Sequence, residues 1–155
     1  LVPLAAVAIP QAASVARATA PSDPKLVKRI DTRGAQPCGS AVFGKYLYVD
    51  NYGSGTIARL DPSTNRVVKK ARVGAGPCGV VAGGGVLWVE NFYDSSIARV
   101  NPATLKVTAR IHVSGSPWDV AYGFGSVWSS NFYAGTVSRI DPRTRRIVKN
   151  VVPSA

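Results

Sequence analysis

Apolar and polar positions alternate in short bursts along this chain, and the bursts come in groups of four. From residue 78 the chain reads CGVVA, three glycines, VLWVEN, FYDS, SIARVN, Pro102-Ala103-Thr104 and LKVTARIHV. In the last stretch Val107, Ala109, Ile111 and Val113 alternate with Thr108, Arg110 and His112. That period of two belongs to a half-buried strand. The pattern predicts strands over 78–82, 86–91, 96–101 and 105–113, separated by turns. Pro102 suits a turn start because its ring fixes φ.

Residues 34–73, 74–113 and 114–153 are three copies of this unit, 40 residues apart without a gap. Pro37, Pro77 and Pro117 fall in register, and so do Asn51, Asn91 and Asn131. Arg59, Arg99 and Arg139 do the same. A unit of about 40 residues rich in β-formers and turn residues predicts propeller blades. The expected fold class is therefore all-β: a β-propeller of three consecutive four-stranded blades.

Polarity orders the strands within a blade. The first two of each unit are apolar on both faces, as strands between neighbouring blades must be. Tyr48, Trp88 and Trp128 share one repeat position and are expected to pack between blades. The fourth strand carries Arg66, Lys69, Lys70, Arg72, Arg110 and Lys149, which predicts the outer wall. Lysine on an exposed edge also discourages edge-to-edge pairing. The repeated arginines are expected to be structural, with packed stems and paired guanidinium groups.

Residues 25–32, KLVKRIDT, read as an orphan N-terminal outer strand whose blade partners are absent. Three blades fall short of the roughly four to eight that close a ring. Three readings stay open: a partial ring or fragment of about seven blades, self-assembly of several copies to close the ring, or a small open arc. Residues 1–20 combine an apolar run with Ala16-Arg17-Ala18 and Ala18-Thr19-Ala20, the pattern of a truncated signal peptide. The plan is then a leader over 1–20, a linker and orphan strand over 21–33, and the three blades. The leader predicts an extracytoplasmic place, secreted or in the periplasm or cell envelope. No apolar run is long enough to predict a membrane-spanning helix in the mature chain.

Charge and chemistry narrow the function classes. The net charge is +11, which favours anionic partners. No aromatic or glycine-rich nucleic-acid motif accompanies it, so specific nucleic-acid binding is not expected. Glu90 is the sole glutamate and His112 the sole histidine, so acid–base chemistry has few groups to draw on. Glu90 and Asp94 have no histidine partner, and no metal site or cofactor is expected. Phosphate-loop, dinucleotide and hydrolase-elbow motifs are absent.

Candidate binding residues come from the loops after the second strands and before the first, which emerge on one end of a propeller. They place Asn51, Tyr52, Asn91, Phe92, Tyr93, Asp94, Asn131, Phe132 and Tyr133 on one surface. Aromatic rings beside amides suit sugars, peptides or aromatic ligands. The alternative is that the asparagines bond their own turns and the rings pack between blades. Trp118 and Asp119 break the repeat and join the candidates. Cys38 and Cys78 occupy one position in adjacent blades. They form a disulfide if the Cα atoms come within about 7 Å, and otherwise remain buried thiols.

The segments Leu87-Trp88-Val89-Glu90-Asn91, Ser96-Ile97-Ala98-Arg99-Val100-Asn101 and Leu47-Tyr48-Val49-Asp50-Asn51 resemble the YVTN-type β-propeller repeat. The likeness covers residues 34–153 and implies the fold but no single activity. The blades are also similar, more distantly, to those of the streptogramin (virginiamycin B) lyases. That resemblance implies a seven-bladed, magnesium-dependent enzyme using histidine and glutamate. Here Asn51, Asn91 and Asn131 stand where lyase-type repeats tend to carry glutamate, and no catalytic residue transfers. The reading is a ligand- or protein-binding scaffold without chemistry of its own, with a lyase-like enzyme fragment as the alternative.

Overall fold

The computed structural model describes residue 26 and residues 28–153. The expected leader over 1–20 lies outside them. The described residues form three antiparallel four-stranded sheets, each a meander in chain order. The first holds β1 (Pro37–Phe43), β2 (Tyr46–Asn51), β3 (Thr56–Asp61) and β4 (Arg66–Arg72). The second holds β5 (Pro77–Gly83), β6 (Val86–Asn91), β7 (Ser96–Val100) and β8 (Val107–His112). The third holds β9 (Pro117–Gly123), β10 (Ser126–Asn131), β11 (Thr136–Asp141) and β12 (Arg146–Val151). First strands lie against one another, β1 on β5 and β5 on β9, so the sheets fan around a common inner line. This is a β-propeller arc of three blades.

Alternation along each strand feeds two different interblade layers. Leu87 and Val89 of β6 join a core with Tyr48, Ile57 and Val80, between the first and second blades. Val86 and Trp88 of the same strand join Val120, Val127 and Ile140, between the second and third. Successive side chains on a strand point to opposite faces, so a strand covered on both sides is apolar on both faces over most of its length, as Val86–Val89 are. Every residue of β6 is accordingly buried. Each fully buried large apolar side chain contributes about 1.5–3 kcal/mol. The outer strands β4 and β12 are mostly exposed, as their charge predicts.

Residues 28–32 lie outside the strands, and β3, β7 and β11 are each flanked by the second and fourth strands of their own sheet, so these three blades offer the expected orphan outer strand no partner. Two expectations are corrected. The fourth strand of the middle unit begins at Val107, not at 105. Leu105 is instead a left-handed turn residue (φ 59°), its N–H donating to the Asn101 carbonyl. The third strand of the middle unit ends at Val100, and Asn101 starts the turn, its Oδ1 accepting the N–H groups of Ala103 and Thr104. Asp61 and Asp141 begin the equivalent turns in the same way.

Each third–fourth strand pair also carries a bulge. Arg99 faces Ala109 while Val100 faces Val107, leaving Thr108 unpaired. Val68 and Val148 take the same place in the other blades and are exposed.

Candidate functional site

The loops after β2, β6 and β10 are fixed by the same pair of backbone bonds in every blade. Tyr52 and Gly53 donate to the carbonyls of Gln36 and Ala35, Phe92 and Tyr93 to Gly76 and Ala75, and Phe132 and Tyr133 to Ser116 and Gly115. Each loop is thereby strapped to the segment entering its own first strand. The rings they carry are held on ordered backbone.

Those rings meet. Tyr52, Tyr93, Phe92, Trp118, Phe132 and Tyr133 form one continuous set, with neighbouring centroids 5.1–5.9 Å apart. Such spacings and tilted or edge-on geometries are favourable for aromatic pairs. Phe92 is buried at the centre, whereas Tyr93, Trp118, Phe132 and Tyr133 are each more than half exposed. The Tyr52 hydroxyl donates to the Tyr93 hydroxyl at 2.6 Å. That bond pushes the Tyr52 phenol up to about 12.

Trp118 owes its place to the break in the repeat. At the junction of the first two blades, Cys38 and Cys78 are joined as a disulfide, with Cα atoms 4.9 Å apart. At the next junction Trp118 stands at that position, its ring 5.4 Å from Phe92. Asp119 is exposed beside it, with Oδ1 accepting the Val120 N–H. Asp94 is also exposed; it accepts the Ala75 N–H and pairs with Arg110 at 3.7 Å.

The asparagines do not share this surface. Asn51, Asn91 and Asn131 are buried within their own blades. Asn51 accepts from Thr32 and donates to Thr56, and Asn131 donates to Thr136 and Ser138. Gly74 presses so closely on Asn91 that an added Cβ would fall 2.1 Å from its Oδ1. A ligand on the rings has no path to these amides, so they leave the set of candidate contacts.

Glu90, weighed in the sequence only beside Asp94, and Asp50, which the sequence did not single out, occupy unusual places. Asp50 and Glu90 are fully buried, one residue before the loops. Asp50 accepts the Gly39 N–H and Glu90 accepts the Cys78 N–H, each through one oxygen, and the other oxygen has no partner among the described residues. Burial pushes Asp50 up to about 6. Glu90 rises to about 8, first through burial and further through the nearby Asp50 and Asp119 charges. Both positions lie in apolar strands, and only their fixed place between blades makes them unusual. Among the described residues no group of three or more His, Cys, Asp or Glu is placed to hold a metal ion. None of the described helices is long and apolar enough to cross a membrane.

No known protein family and no curated protein matches the chain. Solved structures do. Hydrazine synthase from Kuenenia stuttgartiensis superposes with a TM-score of 0.70 at 24% identity, over 76% of this chain and 37% of that one. Glutaminyl cyclase from Myxococcus xanthus superposes with a TM-score of 0.57 at 16% identity, over 74% of this chain and 51% of that one. The chain thus spans about a third to a half of the length of these neighbours. At such identities the likeness concerns the fold alone.

Proposed function

We propose that the chain is a propeller-type binding module that takes its ligand on the aromatic platform at the loop end, without chemistry of its own. The observation that carries this reading is the contiguous exposed set of Tyr93, Trp118, Phe132 and Tyr133 around the buried Phe92. Rings held in place before binding lose little conformational entropy on contact, and Tyr and Trp offer both an apolar face and a polar tip. A ligand with flat apolar faces and a hydroxylated rim, such as a glycan chain, matches that surface. The disulfide and the Ala-x-Ala residues of the leader support an exported protein, since disulfides persist in oxidising compartments.

Titration calorimetry against a panel of neutral oligosaccharides tests the reading. Saturable binding is expected, weakened at least about tenfold by Trp118→Ala or Phe132→Ala. Neither variant should change the melting temperature much, because both rings are largely exposed. Saturable binding that both variants leave intact would overturn the platform as the site. The lyase-like alternative draws no support from the one histidine, since His112 is exposed on the outer strand β8.

A further inference from the structure

At the other end of the sheets, the three copies of one arginine have three different partners. Arg59 crosses to the second blade and donates through Nη1 to the Pro102 and Ala103 carbonyls at 3.2 and 2.9 Å. Tyr46 lies 4.6 Å beneath its guanidinium, and the Tyr48 hydroxyl joins it on the Pro102 oxygen. This clasp fills the space between the first two blades. Arg99 makes no such crossing. Val86 stands where Tyr46 stood, and Trp88, in place of Tyr48, donates its indole N–H to Gly83 within its own blade. Arg99 turns to the bulge residue instead, donating to Thr108 Oγ1 at 2.8 Å while that hydroxyl donates to the Arg99 carbonyl. Arg139 stays in its own blade on Ser126 and over Trp128.

Without a clasp, the space between the second and third blades remains an open groove of about 610 Å³. Its counterpart between the first and second is about 250 Å³. The larger volume is in the range of small-molecule sites. The facing turn has changed as well: Ala103 and Leu105, in the turn that faces the smaller groove, are Arg143 and Arg145 in the third copy, where the first copy has Ser63 and Asn65. Arg99, Arg143 and Arg145 line the groove with Trp88 and Tyr122. No carboxylate among the described residues lies within 4.0 Å of their guanidinium groups. Asp141, in the same turn, is engaged by the Arg143 and Thr144 N–H groups.

We propose that this groove binds a soluble oligophosphate, a molecule carrying two or more linked phosphate groups. Guanidinium groups recognise phosphate through paired N–H donors, and three around one groove match several charges on one ligand. Tyr122 leaves an apolar wall for an organic portion. The site is independent of the aromatic platform.

The test is calorimetric titration of the full chain with tripolyphosphate at physiological ionic strength, where weak surface attraction is largely screened. Saturable binding of one tripolyphosphate per chain is expected. Arg143→Ser with Arg145→Asn restores the turn of the first copy, and it should weaken binding at least about tenfold. Lys69→Ala with Lys149→Ala removes the same charge from the outer strands and should change affinity less than about twofold. Trp118→Ala should leave it unchanged, which separates this site from the platform. Absence of saturation, or equal weakening by the two double variants, would overturn the proposal. Should the turn variant melt early, Arg143→Ser alone leaves the left-handed position 145 untouched, and it must still weaken binding.

Discussion

Arg59 Nη1 donates to the Pro102 carbonyl across the boundary between two blades, and the same oxygen accepts the Tyr48 hydroxyl at 3.0 Å. One carbonyl thus joins a third strand and a second strand to the turn of the neighbouring sheet. Arg59→Ala leaves that turn short of two bonds and is expected to cost about 1–3 kcal/mol. Arg59→Lys should recover only part of this, because one ammonium nitrogen can replace the two Nη1 bonds but lacks the planar face that lies over Tyr46. Arg139→Ala, which breaks contacts within one blade only, should cost less. Urea unfolding of the three variants provides the comparison.

The Tyr122 ring lies flat on Gly83, where an added Cβ would fall 2.0–2.4 Å from ring carbons. Gly83 needs no special backbone angle here; it is small because the ring is there. Gly83→Ala should destabilise the chain by about 1–3 kcal/mol through overpacking. Tyr122→Ala supplies the residue that the second copy carries at the same place, Ala82. The double variant is expected to lose less than the sum of the singles. Strict additivity in a thermal-melt cycle would disprove the contact.

Glu90 makes stability depend on pH. Its carboxyl is raised from 4.5 to about 8 in the folded chain, so between those values the folded state holds a proton that the unfolded state has released. Stability from this group is present below the unfolded pKa and is lost as pH rises towards 8, at up to about 1.4 kcal/mol per pH unit. Asp50 adds a smaller fall between 3.8 and about 6. Melting temperature should therefore drop from pH 5 to pH 8, and Glu90→Gln should flatten the upper part of that decline. A flat wild-type profile would show that Glu90 is ionised in the folded chain.

The Cys38–Cys78 bond closes a loop of 40 residues and ties β1 to β5. On chain-entropy grounds its loss should lower stability by about 2–4 kcal/mol. Cys38→Ala with Cys78→Ala and chemical reduction should produce similar losses in denaturant unfolding. Intact mass before and after alkylation under non-reducing conditions checks the pairing directly.

Much of the blade was legible in the residues. The spacing of Pro77, Asn91, Arg99 and Pro102 placed the strands to within a residue or two, because turn chemistry and alternation are local. Leu105 was misread for the same reason: an apolar residue after a turn looks like a strand start, and its left-handed angle is set by the bond to Asn101. The candidate surface was half legible. Its rings announced themselves by breaking an otherwise polar loop, but the asparagines beside them gave no sign of burial. Nor did Asp50 and Glu90, each a single charge near the end of an apolar strand.

By itself the sequence determined the repeat, the strand order within a sheet, the turn types and the polarity gradient from inner to outer strand. Each of these depends on residues a few positions apart along one chain. Only the tertiary structure decided which arginine is clasped, which groove stays open and which rings touch. Those outcomes join side chains from different strands and mostly from different blades, and they turn on which residue each copy carries at the boundary: Tyr46 or Val86 beside the arginine, Cys78 or Trp118 on the inner strand. Identical residues in successive units therefore come to different ends, because packing across a blade boundary reads two repeats at once.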